Sequence, residues 1–265
     1  MMLMANIMMN KIYPILVKSV NYKLLGALLF GGLIFLPNIA SARYIPRKRR
    51  PPKENTRVGG SRGCPGEERE ALTVLAPHTF VGKTASLNPT LSWFASKPEE
   101  TEIHVYEFGA DNKINTTVEI ARVKKSQIKQ GTNSFKLPQS KALKPGKQYL
   151  WQVSIPCTDG SFFTQKAEFE VIRKPHELEA QISNAKSISQ KANTYASNDL
   201  WYEALEEVFN ISDQSTSQKL YLSLIHDLIL VYKNELDKEI VETKKQYIQQ
   251  RINSLKSIST NKVGK

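Results

Sequence analysis

Cysteine occurs only twice in the 265 residues and histidine four times, and methionine is absent after residue 9. So few soft ligands exclude a cysteine-built metal cluster, and His78, His104, His176 and His226 are scattered without metal-ligand spacing. His176-Glu177 opens like a zinc-protease helix, but the fifth position is Ala180, so the second ligand is missing. A glycine-rich phosphate loop is also lacking. Gly59-Gly-Ser-Arg-Gly63 matches a nucleophile elbow in letters alone. That chemistry needs a strand before the serine and a helix after it, and this stretch is basic and proline-rich instead. Acids are plentiful, yet nothing nominates two of them as a glycosidase pair. Without a catalytic constellation, a cofactor motif or a metal site, the chain reads as non-catalytic.

Acidic residues are absent from residues 1–42, which carry Lys11, Lys18 and Lys23, an apolar run from Leu24 to Leu36, and Ala40-Ser-Ala42. This is the pattern of a secretory signal peptide with cleavage after Ala42. The alternative, a membrane anchor, needs ~20 apolar residues, and the run is shorter. The protein is therefore expected to be exported to the periplasm, the cell surface or beyond, and not to be transmembrane once cleaved. The clustered methionines leave Met8 or Met9 as possible true starts.

The formal charge of +12 is unevenly placed. The leader holds three of those charges. Residues 43–63 hold eight cations, among them Arg47, Lys48, Arg49 and Arg50, against Glu54. The remainder is close to neutral, so the composition gives no case for nucleic acid. Residues 43–63 are rich in Pro, Gly and Arg and read as a disordered basic linker. A sharper reading is an arm held on a glycan or an anionic surface. In an oxidising compartment Cys64 and Cys157 read as one disulfide, the alternative being two buried free thiols.

Tyr149-Leu-Trp-Gln-Val-Ser-Ile-Pro-Cys157 alternates apolar and polar positions, as a strand with one buried face does. Further short strands are expected at 71–75, 90–94, 102–108, 116–123, 134–137 and 162–172. They are separated by turn residues, Asp159-Gly160 being the strongest hairpin signal. Seven strands over 64–174 point to an immunoglobulin- or fibronectin-like sandwich. After Pro175 the period changes to three and four. A helix is expected over 176–196, a second from Trp201 with Asp199 as its N-cap, and a third from Ser217 that continues as a charged extension. The helical region spans 175–258, with a frayed tail at 259–265. Its first two helices resemble one tetratricopeptide-type pair.

Trp93, Trp151 and Trp201 fall on inward faces and read as core. Phe94, Tyr106, Leu150 and Tyr202 fall on the opposite faces and, with Glu203, are the candidate contact surface. The expected function is binding or adaptor work on an envelope protein through the helical region. The alternatives are a cell-wall or carbohydrate-binding module and an uncharacterised hydrolase.

Several segments occur together in this order: Gly60-Ser-Arg-Gly before Cys64, Ala71-Leu-Thr-Val-Leu-Ala-Pro77, Thr84 before Asn88-Pro-Thr90 with Trp93-Phe94, Leu143-Lys-Pro-Gly-Lys-x-Tyr-x-Trp151 running into Cys157, and Leu200-Trp-Tyr-Glu-Ala-Leu205. Together they resemble the domain-of-unknown-function family 928 of secreted cyanobacterial proteins. The resemblance implies export, a paired Cys64 and Cys157, and a β-domain followed by helices, with no activity or ligand attached. The chain departs from it at Glu168-Phe169, where glycine-tryptophan would be expected, and in the longer charged extension after Leu236.

Overall fold

In the computed structural model the residues described are 43–53, 64, 72–109, 111, 113–123 and 128–260. The expected leader (1–42) and the elbow-like glycines (59–63) lie outside them. Among the described residues eight strands come first: β1 (Leu72–Val74), β2 (Gly82–Thr84), β3 (Thr90–Ala95), β4 (Thr101–Phe108), β5 (Ile114–Val123), β6 (Gly131–Lys136), β7 (Gln148–Pro156) and β8 (Phe162–Val171). Five helices follow: α1 (His176–Ser183), α2 (Ile188–Ser197), α3 (Trp201–Phe209), α4 (Gln214–Leu236) and α5 (Glu242–Thr260). None of the described helices is long and apolar enough to cross a membrane.

The strands form two sheets, one ordered β1-β3-β6 and one ordered β2-β8-β7-β4-β5. Every pair is antiparallel except β2–β8. Strand β2 was not expected from the sequence: three residues are too few to show a period. Strand β7 is central, paired along its length with β4 and β8, and its odd-numbered residues are buried. Cys64 and Cys157 are joined, Sγ to Sγ at 2.04 Å.

The long helix expected over 176–196 is two. Ser187 caps α2 by accepting from the Gln190 N–H, an alternative local bond that interrupts an otherwise continuous apolar period. Asp213 caps α4 in the same way through the Thr216 N–H. The charged extension is likewise a separate helix. α5 buries Ile248, Ile252, Leu255 and Ile258, and it runs through Ser259 and Thr260, which were expected to be frayed.

The described residues all belong to one compact unit. Buried residues from both sheets and from α2 to α5 form one continuous hydrophobic core. Two indole donors join the halves: Trp201 Nε1 donates to the Leu75 carbonyl at 2.7 Å, and Trp151 Nε1 donates to the Tyr202 hydroxyl at 3.1 Å. A buried indole N–H usually finds an acceptor, and these two find theirs across the junction.

Candidate functional site

The surface assigned to Tyr202 and Glu203 is corrected by the fold, because both face the β-domain. Tyr202 is 2% exposed and its ring lies 5.1 Å from that of Phe169. One Glu203 oxygen, Oε1, accepts from the Thr84 hydroxyl at 2.7 Å, the Ala85 N–H at 2.6 Å and the Ser86 N–H at 2.8 Å. Burial pushes the Glu203 carboxyl up from its ordinary range, and these donors, Thr84 first, oppose the shift. The groove offered by α3 is filled by the chain's own β2 and the turn after it.

Phe94 and Leu150 are buried as well, at 8% and 0% exposure. Alternation placed them on outer faces, but β3 and β7 are covered on both sides. Tyr106 is half-buried, its ring stacked on His104 at 5.9 Å. Of the five proposed contact residues, four are interior.

The basic arm accounts for part of that cover. Of the linker expected over 43–63, residues 54–63 lie outside the described residues, and residues 43–53 form a strap held on the folded body at several points. Tyr44 is buried edge-on against Trp201, with ring centroids 5.0 Å apart. Its N–H donates to Asp227 Oδ2 at 2.7 Å and its hydroxyl to Asp199 Oδ1 at 3.1 Å. The Arg47 N–H and the Lys83 ammonium donate to the second Asp199 oxygen, and the Arg47 guanidinium reaches the Ser197 carbonyl. Asp199 is therefore not the N-cap expected for α3. It sits at φ 66°, and its carboxylate turns back to hold the strap.

Farther along, Arg49 pairs with Glu235 and Arg50 with Glu170, the Val81 N–H donates to the Arg50 carbonyl, and the Lys53 N–H donates to buried Glu168. Glu168 stands opposite Leu150 in the ladder and also accepts from Gln148. Much of the charge that suggested an anionic surface is thus used internally. Lys48 remains exposed, at φ 49°.

Two concavities are formed by the described residues alone. One, of about 250 Å³, is lined by Arg50, Lys53, Lys147 and Glu170 beside Phe108. Its cations are already engaged: Arg50 on Glu170, Lys147 3.5 Å from Glu107, and Lys53 over the Phe108 ring. The other, of about 270 Å³, lies between edge strand β6 and the α3–α4 corner. Its walls are Thr132, Asn133 and Ser134 from β6, Phe209 from α3, and Gln214, Ser217, Gln218 and Tyr221 from α4. No lining side chain is charged.

Phe209 and Tyr221 lie ring to ring at 6.1 Å. The Tyr221 hydroxyl, pushed up to about 12 by burial, stays protonated and meets the Thr132 hydroxyl at 3.4 Å. Asn133 is spent on the β6 turn, bonding the backbone of Lys129 and Gly131, and Ser217 donates to the Val208 carbonyl. Ser134, Gln214 and Gln218 make no side-chain hydrogen bond among the described residues, so their donors and acceptors are available to a ligand. Sequence reading missed this cleft because its two walls lie some eighty positions apart. The visible signal was the polar set Gln214, Ser217 and Gln218, spaced three and four along one helical face. Among the described residues no group of three or more His, Cys, Asp or Glu side chains could hold a metal ion.

A two-sheet β-domain fused to a helical region and closed by a disulfide is the class of protein these observations define. Residues 57–242 match the family described as Domain of Unknown Function (DUF928), and the chain belongs to that family. The strap and most of α5 lie outside the matched residues. No curated protein matches the chain. Among solved structures a similarity is found to Astrotactin-2, a conserved vertebrate-specific and perforin-like membrane protein involved in neuronal development. Identity is 13% and the TM-score 0.26, over 71% of this chain and 38% of that one. So low a score carries no argument about fold or function.

Proposed function

We propose that the chain is an exported, non-catalytic binding protein, and that its ligand is a neutral, hydroxyl-rich chain such as a cell-wall or surface glycan taken up in the β6/α3–α4 cleft. The observation that carries this reading is the lining. A carboxylate or phosphate would meet no cation there and an ammonium group no anion, whereas sugar hydroxyls would meet free amides, a free serine hydroxyl and two aromatic rings. The cleft is small for a ligand pocket and open, which suits one ring of a longer chain. We read the β-domain as immunoglobulin-like, with α2 and α3 as a tetratricopeptide-like pair. The two sheets around one core and the close α2–α3 packing support that reading.

The test is calorimetric titration of the intact protein with neutral and anionic oligosaccharides, alongside Gln218→Trp, which fills the cleft, and Gln214→Ala. Binding of neutral glycans that both variants weaken tenfold or more is expected. Binding confined to anionic glycans, or unaffected by Gln218→Trp, overturns the reading.

A second reading, docking of an envelope protein on the helical half, is favoured by one observation. Ile240 is 89% and Val241 44% exposed at the α4–α5 turn. Crosslinking in cells that is lost in an Ile240→Ser, Val241→Ser variant would support it.

A further inference from the structure

Tyr44 is the second residue after the cleavage point expected at Ala42, and it is already anchored. Its ring is buried on Trp201, its hydroxyl is on Asp199 and its N–H is on Asp227. The α-nitrogen of Arg43 lies one residue back, roughly 3 Å along the backbone from that last bond. Asp227 is half-buried on α4. Burial raises its carboxyl above the ordinary range, opposed first by the Tyr44 N–H and then by the charges of His226 and Arg43. Among the described residues its carboxylate forms no ion pair, the His226 and Arg43 charges acting on it only from farther away.

We infer that processing after Ala42 creates the group that completes this site: the new α-ammonium of Arg43 pairs with Asp227 and locks the strap. This inference rests on the export reading and is independent of what the cleft binds. In the precursor the Arg43 nitrogen is a neutral amide. An envelope endopeptidase adds water across the Ala42–Arg43 bond. The C–N bond breaks, Ala42 leaves as a carboxylate, and the Arg43 nitrogen takes up hydrogen to become an ammonium group, with a pKa near 8 when unperturbed. A neutral group thereby becomes a cation within reach of Asp227.

The order of events follows from burial. With Tyr44 docked, the bond to be cut lies within two residues of a buried ring, so the endopeptidase acts on an undocked strap and locking comes after cleavage. Cleavage thus becomes a maturation step of the folded body as well as the removal of a leader.

The pairing predicts a particular pH dependence. The ammonium pKa is raised by the partner, so its contribution is fully present below about pH 8 and disappears as pH rises through the raised value. The charged or titratable groups around it are Asp227 and His226 on α4, the Arg43 guanidinium, and Asp199 beyond the Tyr44 ring. The neighbouring hydroxyls of Tyr44, Tyr202 and Tyr232 are all pushed upward by burial and stay neutral through this window.

The experiment expresses the full chain with its own leader, purifies the exported form and sequences its N-terminus. It then compares that form with a variant carrying Gly-Ser inserted after Ala42, with Asp227→Asn, and with the double variant. Arg43 is expected as the first residue. Each single change is expected to lower the melting temperature by roughly 2–4 °C at pH 7, the double change to lower it no further, and the difference to vanish toward pH 10. An intact leader overturns the export reading and this inference with it, whereas a leader removed at a different bond leaves export standing and overturns the lock. Cleavage at Arg43 with an insertion variant that melts like the native protein, or with additive losses, overturns the lock alone.

Discussion

Asp199 and Glu203 lie four residues apart and face the same problem, a carboxylate carried into a protein interior, yet they meet it differently. Asp199 spreads its two oxygens over Tyr44, Arg47 and Lys83. Glu203 gathers three donors on Oε1 and leaves Oε2 without a partner among the described residues. Glu203→Ala strands the Thr84 hydroxyl and two backbone N–H groups, a loss of about 3 kcal/mol. Glu203→Gln keeps the accepting oxygen and is expected to recover most of it in urea unfolding.

His78 is the third buried ionisable group that matters. It is 3% exposed, and neither ring nitrogen finds a hydrogen-bond partner among the described residues. Burial pushes its pKa well below 6.5 and the nearby Arg251 charge adds to this, while the Val74 carbonyl, near the ring but outside hydrogen-bond geometry, opposes it. Because the folded value is depressed, the unfolded chain binds the extra proton. Stability is therefore complete above the unfolded value near 6.5 and falls below it, by up to about 1.4 kcal/mol per pH unit. Urea midpoints measured between pH 7.5 and 5 are expected to show this loss, and His78→Phe is expected to flatten it.

At the scale of elements, the strap is the finding that sequence composition concealed. Its partners Asp199, Asp227 and Glu235 lie more than 150 positions away, and no local pattern announces such pairing. Tyr44, the one aromatic in the arm, was the legible hint. Tyr44→Ala removes a buried ring and its two-sided anchoring, and is expected to cost about 3–5 kcal/mol. Proteolytic cleavage within 43–53, followed by mass spectrometry, should become rapid in that variant and stay slow in the native protein. The strands were legible because most have one buried face and so show a period of two. That same rule misplaced Phe94 and Leu150, since β3 and β7 are covered on both faces and a strand buried twice hides which side is outer. The break between α1 and α2 was illegible for the opposite reason: Ile182, Ala185, Ile188 and Ala192 keep helical spacing straight across it.

Across the whole molecule, the change of period at Pro175 marked a boundary in secondary structure but not in the core. Tryptophans from both sides of it donate across the junction, Glu203 stitches β2 to α3, and the strap contacts α4 and β8 at once. The disulfide closes 93 residues of the β-rich half, and chain entropy assigns such a loop about 4–5 kcal/mol. That crosslink cannot replace the helical half. Cut after Lys174, the β-rich half would leave Trp151 without its acceptor, expose the side of Phe169 that Tyr202 covers, and release the strap from Asp199, Asp227 and Glu235. A fragment of residues 43–174 with the disulfide intact is therefore expected to lack a cooperative calorimetric transition and to show collapsed amide dispersion. The intact protein should melt in one step, because β-strands and helices share one core. A sharp, independent transition in the fragment would show instead that the junction is a docking surface between two finished domains.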